Sequence, residues 1–339
     1  MRSRASPLRQ AEEAVTALRF PDDARVEFGG RTHVLASLYK DADDDPWHPV
    51  PTVRLAARLL YDEWYSGVRD AAPAGRTANL SAPRPPEAKV TAGWNVQDAR
   101  PDGSLSATRD VTAVDLLPGE YLRAGGAGRL EASDEVLARH GGGGDAFQPG
   151  WIYRMGQEPA DAITSGAIVR LYFHVTAGGA ADFIDACGAL DHRRVPFRAK
   201  VGAVLSHRDR TDAAVIYASS RHVRALAEPI AEIYGGLRAQ LDPATPPLAR
   251  RLAPGLAMAE GARDGSSFGV GRCRLLGELA FRLAQEDAEE SELPTAIATA
   301  FEGAGLDPAR PYLQGAADFH GLDEAADEIT ELLRDGAPR

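Results

Sequence analysis

Residues 169–201 decide how the chain is read: Val169-Arg170-Leu171-Tyr172-Phe173-His174-Val175, then a segment opened by Gly178-Gly179, then Val195-Pro196-Phe197-Arg198-Ala199-Lys200-Val201. Successive side chains of a strand point to opposite faces. Val169, Leu171, Phe173 and Val175 therefore share one face, and Arg170, Tyr172 and His174 the other. In the second piece Phe197, Ala199 and Val201 alternate with Arg198 and Lys200. With a helix between them the two strands form a strand–helix–strand unit, expected as a right-handed crossover between parallel strands. Adjacent or near-adjacent in one sheet, they would present Arg170, Tyr172, His174, Arg198 and Lys200 to a common surface. The plainer reading is the wet side of a sheet, with the lysine snorkelling to water.

Outward from this unit the pattern stays regular. Strands are expected over 168–176, 195–204 and 212–218, and helices over 179–190 and about 220–241. The proline-rich stretch 243–254 reads as a connection. Ser266 or Ser267 can cap a helix running to about Gln285. The acidic run 286–292 reads as solvated surface, and two short helices follow over 294–304 and 323–334.

Toward the N-terminus, residues 8–20 are amphipathic and helical, and a small hairpin turns at Gly29-Gly30. Thr52 can cap a helix through about Val68, whose aromatic group Tyr61, Trp64 and Tyr65 reads as core. Residues 70–88 read as an exposed connection and 89–130 as short strands and turns. Gly141 to Gly144 read as a flexible joint and domain boundary. The expected fold is α+β, a mixed sheet packed with helices, divided into an N-terminal region 1–145, a central domain 146–290 and a helical extension 291–339.

Composition narrows the function. The 339-residue chain is 44% hydrophobic with a formal net charge of −11. Without clustered positive charge it is not expected to bind nucleic acid or an anionic membrane. No apolar run approaches the roughly 20 residues that span a bilayer, and the cytoplasm is the expected compartment. Two isolated cysteines, Cys187 and Cys273, form neither a disulfide framework nor a zinc site, and read as buried thiols. The histidines other than His174 form no cluster with acidic residues at metal spacing, and the glycine-rich stretches lack a phosphate-loop lysine. Neither a metal nor a cofactor is expected. Only three of the 38 basic residues are lysine: Lys40, Lys89 and Lys200. Arginine keeps its proton near neutral pH, whereas a desolvated lysine can lose it, so Lys200 stands out.

The run Tyr172-Phe173-His174-Val175-Thr176-Ala177 followed by Pro196-Phe197-Arg198-Ala199-Lys200-Val201 resembles the paired motifs of bacterial phosphothreonine lyases. From Trp151-Ile152-Tyr153-Arg154-Met155-Gly156 through Ser267-Phe268-Gly269-Val270-Gly271-Arg272-Cys273-Arg274 the sequence resembles the HopA-type family of type III effectors. Actinobacterial members of that family occur beside a separate kinase in the biosynthesis of class V lanthipeptides and thioamide-containing peptides. The resemblance implies elimination of phosphate from phosphoserine or phosphothreonine in a precursor peptide, giving dehydroalanine or dehydrobutyrine. It assigns Lys200 as the general base that takes the α-proton and His174 as the general acid at the departing phosphate, with neighbouring arginines depressing the lysine's pKa.

Phosphate is held by fixed cationic donors. Arg170 and Arg198 on the shared face, Arg154, Arg208 or Arg210, and Arg272 or Arg274 are the candidates, and Tyr217 resembles a tyrosine that follows the base in the lyase motif. Where those lyases carry a lysine two positions before the histidine, this chain has Tyr172. No basic docking motif points to a host kinase as substrate. The implied partners are a phosphorylated precursor peptide and the separate Ser/Thr kinase. The alternative is a non-catalytic module of the same fold that binds peptide or stabilises the kinase. A thiol-adding cyclase ranks lowest, because no zinc ligands are present to activate a thiol.

Overall fold

The computed structural model describes residues 5–35, 49–67, 85, 87–101, 103–116, 118–125, 128–144, 148, 150–158, 167–203, 209–261, 267–286, 288–315 and 317–335. The fold is α+β, and the chain divides into two compact units. The first holds residues to 70, 246–250 and 259–318, and the second holds 71–245, 251–258 and 319–339.

In the first unit, helix α1 (Pro7–Thr16) precedes a three-stranded meander, β1 (Arg19–Asp22), β2 (Arg25–Phe28) and β3 (Arg31–Val34). Gly29 and Gly30 make the β2–β3 turn with φ of 59° and 76°, as expected for two central residues in left-handed conformation. Helix α2 (Pro51–Leu59) runs directly into a π turn, Leu60–Tyr65. Its start differs from expectation. Pro51 takes the first helical position, and the Thr52 hydroxyl donates to the Asp23 carbonyl instead of capping the helix. Tyr65 is buried and stacks on Tyr61 with ring centroids 5.4 Å apart.

Ser267 does cap the long helix that follows, its hydroxyl accepting from the Val270 N–H at 3.1 Å. On that helix, Phe268–Gln285, a Cβ at Gly277 would lie 2.9 Å from the Ala57 nitrogen, and one at Gly269 2.4 Å from the Tyr65 ring. Two glycines eight residues apart on one face thus let α2 and its π turn approach at backbone distance.

The second unit is built on two sheets. The five-stranded one has the order β6-β5-β4-β8-β7, from β4 (Lys89–Ala99), β5 (Leu105–Arg109), β6 (Thr112–Leu116), β7 (Tyr121–Arg123) and β8 (Glu135–His140). Its core is Trp94, Val96, Leu105, Ala107, Val114, Leu116, Val136 and Ala138, all buried. The sequence pattern over 89–130 gives only short strands, because bulges in β4 against both neighbours break its alternation.

The seven-stranded sheet has the order β14-β15-β11-β13-β12-β10-β9. Its strands are β9 (Gly143–Gly144), β10 (Trp151–Met155), β11 (Ile168–Phe173), β12 (Arg198–Gly202), β13 (Ala214–Ser219), β14 (Arg250–Ala253) and β15 (Leu256–Glu260). β11 and β12 each pair antiparallel with β13, so they run in the same direction with one strand between them. Helices α3 (Ala180–Ala186) and α4 (Gly188–His192) connect them. Phe173 of β11 meets Phe183 of α3 at 5.5 Å, which identifies the apolar face as the one under the helices.

Two expectations fail here. The four glycines are not a loose joint: Gly143-Gly144 form an edge strand against β10, and a Cβ at Gly143 would lie 1.9 Å from the Tyr153 carbonyl oxygen. The connection expected over 243–254 contains β14, which turns at Gly255 (φ 75°) into β15. Among the described residues no helix is long and apolar enough to cross a membrane, and both cysteines are buried thiols.

Candidate functional site

Strand register brings the predicted residues into rows. Arg170, Tyr217 and Arg198 lie directly opposite one another across β11, β13 and β12. The next row is Tyr172, Val215, Lys200 and Tyr153, from β11 to β10. His174 lies one step beyond β11, continuing its polar face.

Lys200 is half-buried in an aromatic enclosure. Its Nζ stands 4.2 Å from the Trp151 ring centroid and 5.9 Å from that of Tyr217. It donates to Gln148 Oε1 at 3.1 Å, and the same oxygen accepts from the Tyr153 hydroxyl at 2.9 Å. Two arginines share the rings: Arg210 lies 6.0 Å from the Trp151 centroid and Arg170 5.5 Å from that of Tyr217. The Lys200 pKa is held below its ordinary value. Burial is the first cause, because it penalises the ammonium form. Arg170 and Arg210 push the same way, against the opposing pull of Tyr153 and Asp212. Burial and not the arginines accounts for the direction, since their push is smaller than the opposing pulls of Tyr153 and Asp212. Burial also raises the phenol of Tyr153 and pushes Tyr217 up to about 12.

His174 is held from the other side. Nδ1 donates to the Ala244 carbonyl at 3.3 Å, Nε2 lies 3.9 Å from Asp242 Oδ2, and the backbone N–H donates to Gly255 at 2.9 Å. A carbonyl on Nδ1 fixes the proton there. Among the described residues no hydrogen bond joins His174 to Lys200. Two interstrand steps and two residues along the strand put their Cα atoms roughly 12 Å apart, a gap that two extended side chains and a bound phosphorylated residue would span.

The candidate arginines separate by role. Arg210 forms a two-point pair with Asp212, Nε–Oδ1 at 2.7 Å and Nη2–Oδ2 at 3.0 Å, beside Lys200. Arg198 is on the expected face, but Nε and Nη2 grip Glu120 at 2.8 and 2.7 Å, and Nη2 also donates to the Asp115 carbonyl at 2.6 Å. It joins the two sheets of the unit. Arg154 is corrected outright. Its strand position puts it with Ile152 on the helix-covered face, where it donates to the carbonyls of Ile184 and Asp185 at the end of α3 and pairs with Asp191 at 2.7 Å. A cation suits a helix C-terminus, so Arg154 is a structural clamp.

Arg272 is likewise spent within the first unit, donating to the carbonyls of Pro311 at 2.9 Å and Leu313 at 2.8 Å. Arg274 lies on the same helix, Phe268–Gln285, in the first unit. Arg208 lies outside the described residues. Trp151, Tyr153, Gln148, Asp212 and Glu120 complete the surroundings without having been read from sequence. A signal existed for two of them: Trp151 and Tyr153 alternate with Ile152 and Arg154, which puts two aromatics on one face of a strand and the arginine on the other.

Fold and site define an α+β protein whose antiparallel sheet carries a lysine amid aromatics and arginines on the face opposite its helices. The chain belongs to the HopA1 effector protein family, whose model matches residues 144–313. Among solved structures it is similar to the effector protein from Pseudomonas syringae pv. tomato strain DC3000, at 19% identity and a TM-score of 0.39 over 49% of this chain and 63% of that one. It is also similar to the effector protein from Pseudomonas syringae pv. syringae strain 61, at 17% identity and a TM-score of 0.37 over 52% and 64%. Each alignment covers less than two thirds of the effector's length. No curated protein matches the sequence.

Proposed function

We propose that this protein is a phosphoserine/phosphothreonine lyase that removes phosphate from a kinase-phosphorylated precursor peptide, leaving a dehydroalanine or dehydrobutyrine residue in lanthipeptide-type peptide biosynthesis. The observation that carries the reading is Lys200. It is half-buried between Trp151 and Tyr217, flanked by Arg170 and Arg210, and displaced toward its neutral form. An amine without its proton can act as a base.

In the proposed step the Nζ lone pair takes the α-proton of the phosphorylated residue. The electrons of that C–H bond form the Cα–Cβ double bond as the Cβ–O bond breaks. His174 delivers a proton to the departing phosphate oxygen. Arg170, Arg210 and Tyr217 face the phosphate in this arrangement, and guanidinium groups match its oxygens in charge and geometry. The kinase that makes the phosphorylated substrate is a separate protein.

Incubation with a phosphoserine peptide, followed by mass spectrometry, tests the reading. Wild type is expected to release phosphoric acid and Lys200→Ala to leave the peptide intact. A peptide that is bound but unchanged by wild type would favour the non-catalytic binding module instead.

A further inference from the structure

Three cations meet on two aromatic rings in this unit. Lys200 and Arg210 share Trp151, and Lys200 and Arg170 share Tyr217. Asp212, bonded to Arg210 at both carboxylate oxygens, lies among them. Trp151 is buried beneath Lys200, whereas Tyr217 is half-buried, so the cluster offers guanidinium groups for a phosphate, one aromatic edge for a planar ligand, and a primary amine beside it. The phosphate is used by the proposed elimination, whereas the Tyr217 ring and the nucleophilic character of the amine are not.

We infer that this cluster is a covalent docking site for small planar aldehydes bearing a phosphate, with Lys200 as the residue that forms the imine. The inference deepens the phosphate-site reading above and does not need the elimination itself. The Nζ lone pair attacks the aldehyde carbon and an N–C bond forms. The carbonyl oxygen leaves as water, carrying both amine protons, and an imine remains, so no oxidant or reductant is consumed. The phosphate lies against Arg170 while the ring lies along the half-buried Tyr217. An occupied Lys200 can take no α-proton, so the adduct would also switch off the proposed reaction. The lowered Lys200 pKa supports the inference, because only the unprotonated amine attacks.

The sequence makes the test clean, since Lys40 and Lys89 are the only other lysines. The full chain is incubated with pyridoxal phosphate, any imine is reduced with borohydride, and the pyridoxyl mass is mapped by peptide mass spectrometry. Lys200 is expected to label ahead of Lys40 and the exposed Lys89. Inorganic phosphate should suppress the label, and pyridoxal without its phosphate should label roughly tenfold less, the worth of about one charge-assisted contact. Equal labelling of the three lysines, or labelling of Lys200 that ignores inorganic phosphate, overturns the inference. A chain that eliminates phosphate from a peptide yet escapes labelling leaves the lyase reading standing and removes this one. Labelling at Lys200 without elimination does the reverse.

Discussion

The two faces of the seven-stranded sheet use their basic side chains in opposite ways. On the helix-covered face Arg154 is surrounded by acceptors: the carbonyls ending α3 and the carboxylate of Asp191. On the other face, Lys200 meets aromatic rings, an amide oxygen and two further cations. The first environment surrounds a charge with acceptors, and the second sets an amine among rings, with Asp212, paired to Arg210, as the carboxylate beside it. Arg198 stands between these cases, on the second face by register yet committed to Glu120 across the two sheets. Neither Arg154, held by Asp191, nor Arg198, held by Glu120, is therefore placed to answer a ligand, although both stand in the motifs.

That contrast can be broken by substitution. Arg154→Met leaves the half-buried Asp191, and Glu120→Ala the buried Arg198, without its charged partner. Each should lower the unfolding free energy in urea by about 3–5 kcal/mol. A loss below about 1 kcal/mol in both would show that these clamps are not structural.

Next in size is Gly143→Ala on the edge strand. It adds a Cβ against the Tyr153 carbonyl at a φ of 149°, and should cost about 1–3 kcal/mol. Thermal melting with no shift would restore the flexible-joint reading of the glycine run.

The smallest expected effect is pH-dependent and belongs to Lys200. Its folded pKa lies below the ordinary lysine value, so between the two the unfolded chain binds more protons than the folded one. Stability from this group therefore rises with pH through that window, and the penalty is fully present below it. Lys200→Met should be at least as stable as wild type at neutral pH, with an advantage that shrinks toward about pH 10.4. Urea unfolding of both chains at the two pH values measures this, and a constant difference would remove the depressed pKa.

Much of this architecture is legible in the sequence, for identifiable reasons. The strands at 168–173 and 198–202 set apolar against polar or basic side chains in alternation, and 214–219 opens on an unbroken apolar run, Ala-Val-Ile-Tyr. The long helix after Ser267 announces itself by its cap. By contrast, β4–β8 are spelled in small and polar residues with bulges, and β14 hides among prolines whose turn depends on Gly255 lying against Asp242.

At the site, alternation alone places Arg170, Tyr172, His174, Arg198 and Lys200 on one face, and register places β13 with Tyr217 between the two strands. Alternation also carries the evidence that Arg154 faces the other way. What it cannot carry is pairing at long range. Glu120 reaches Arg198 from 78 residues away, and no local pattern distinguishes an arginine that will meet such a partner from one that will not.

The central claim is that Lys200 works as a base and not merely as a cation, and Lys200→Arg separates the two most directly. Arginine keeps a positive charge at this position but does not give up its proton. Elimination from a phosphoserine peptide, followed as release of phosphate, should fall about 10²–10⁴-fold while the peptide still binds. An arginine variant that eliminates phosphate within roughly threefold of the wild-type rate, a difference of only about 0.7 kcal/mol in barrier, would contradict the assignment.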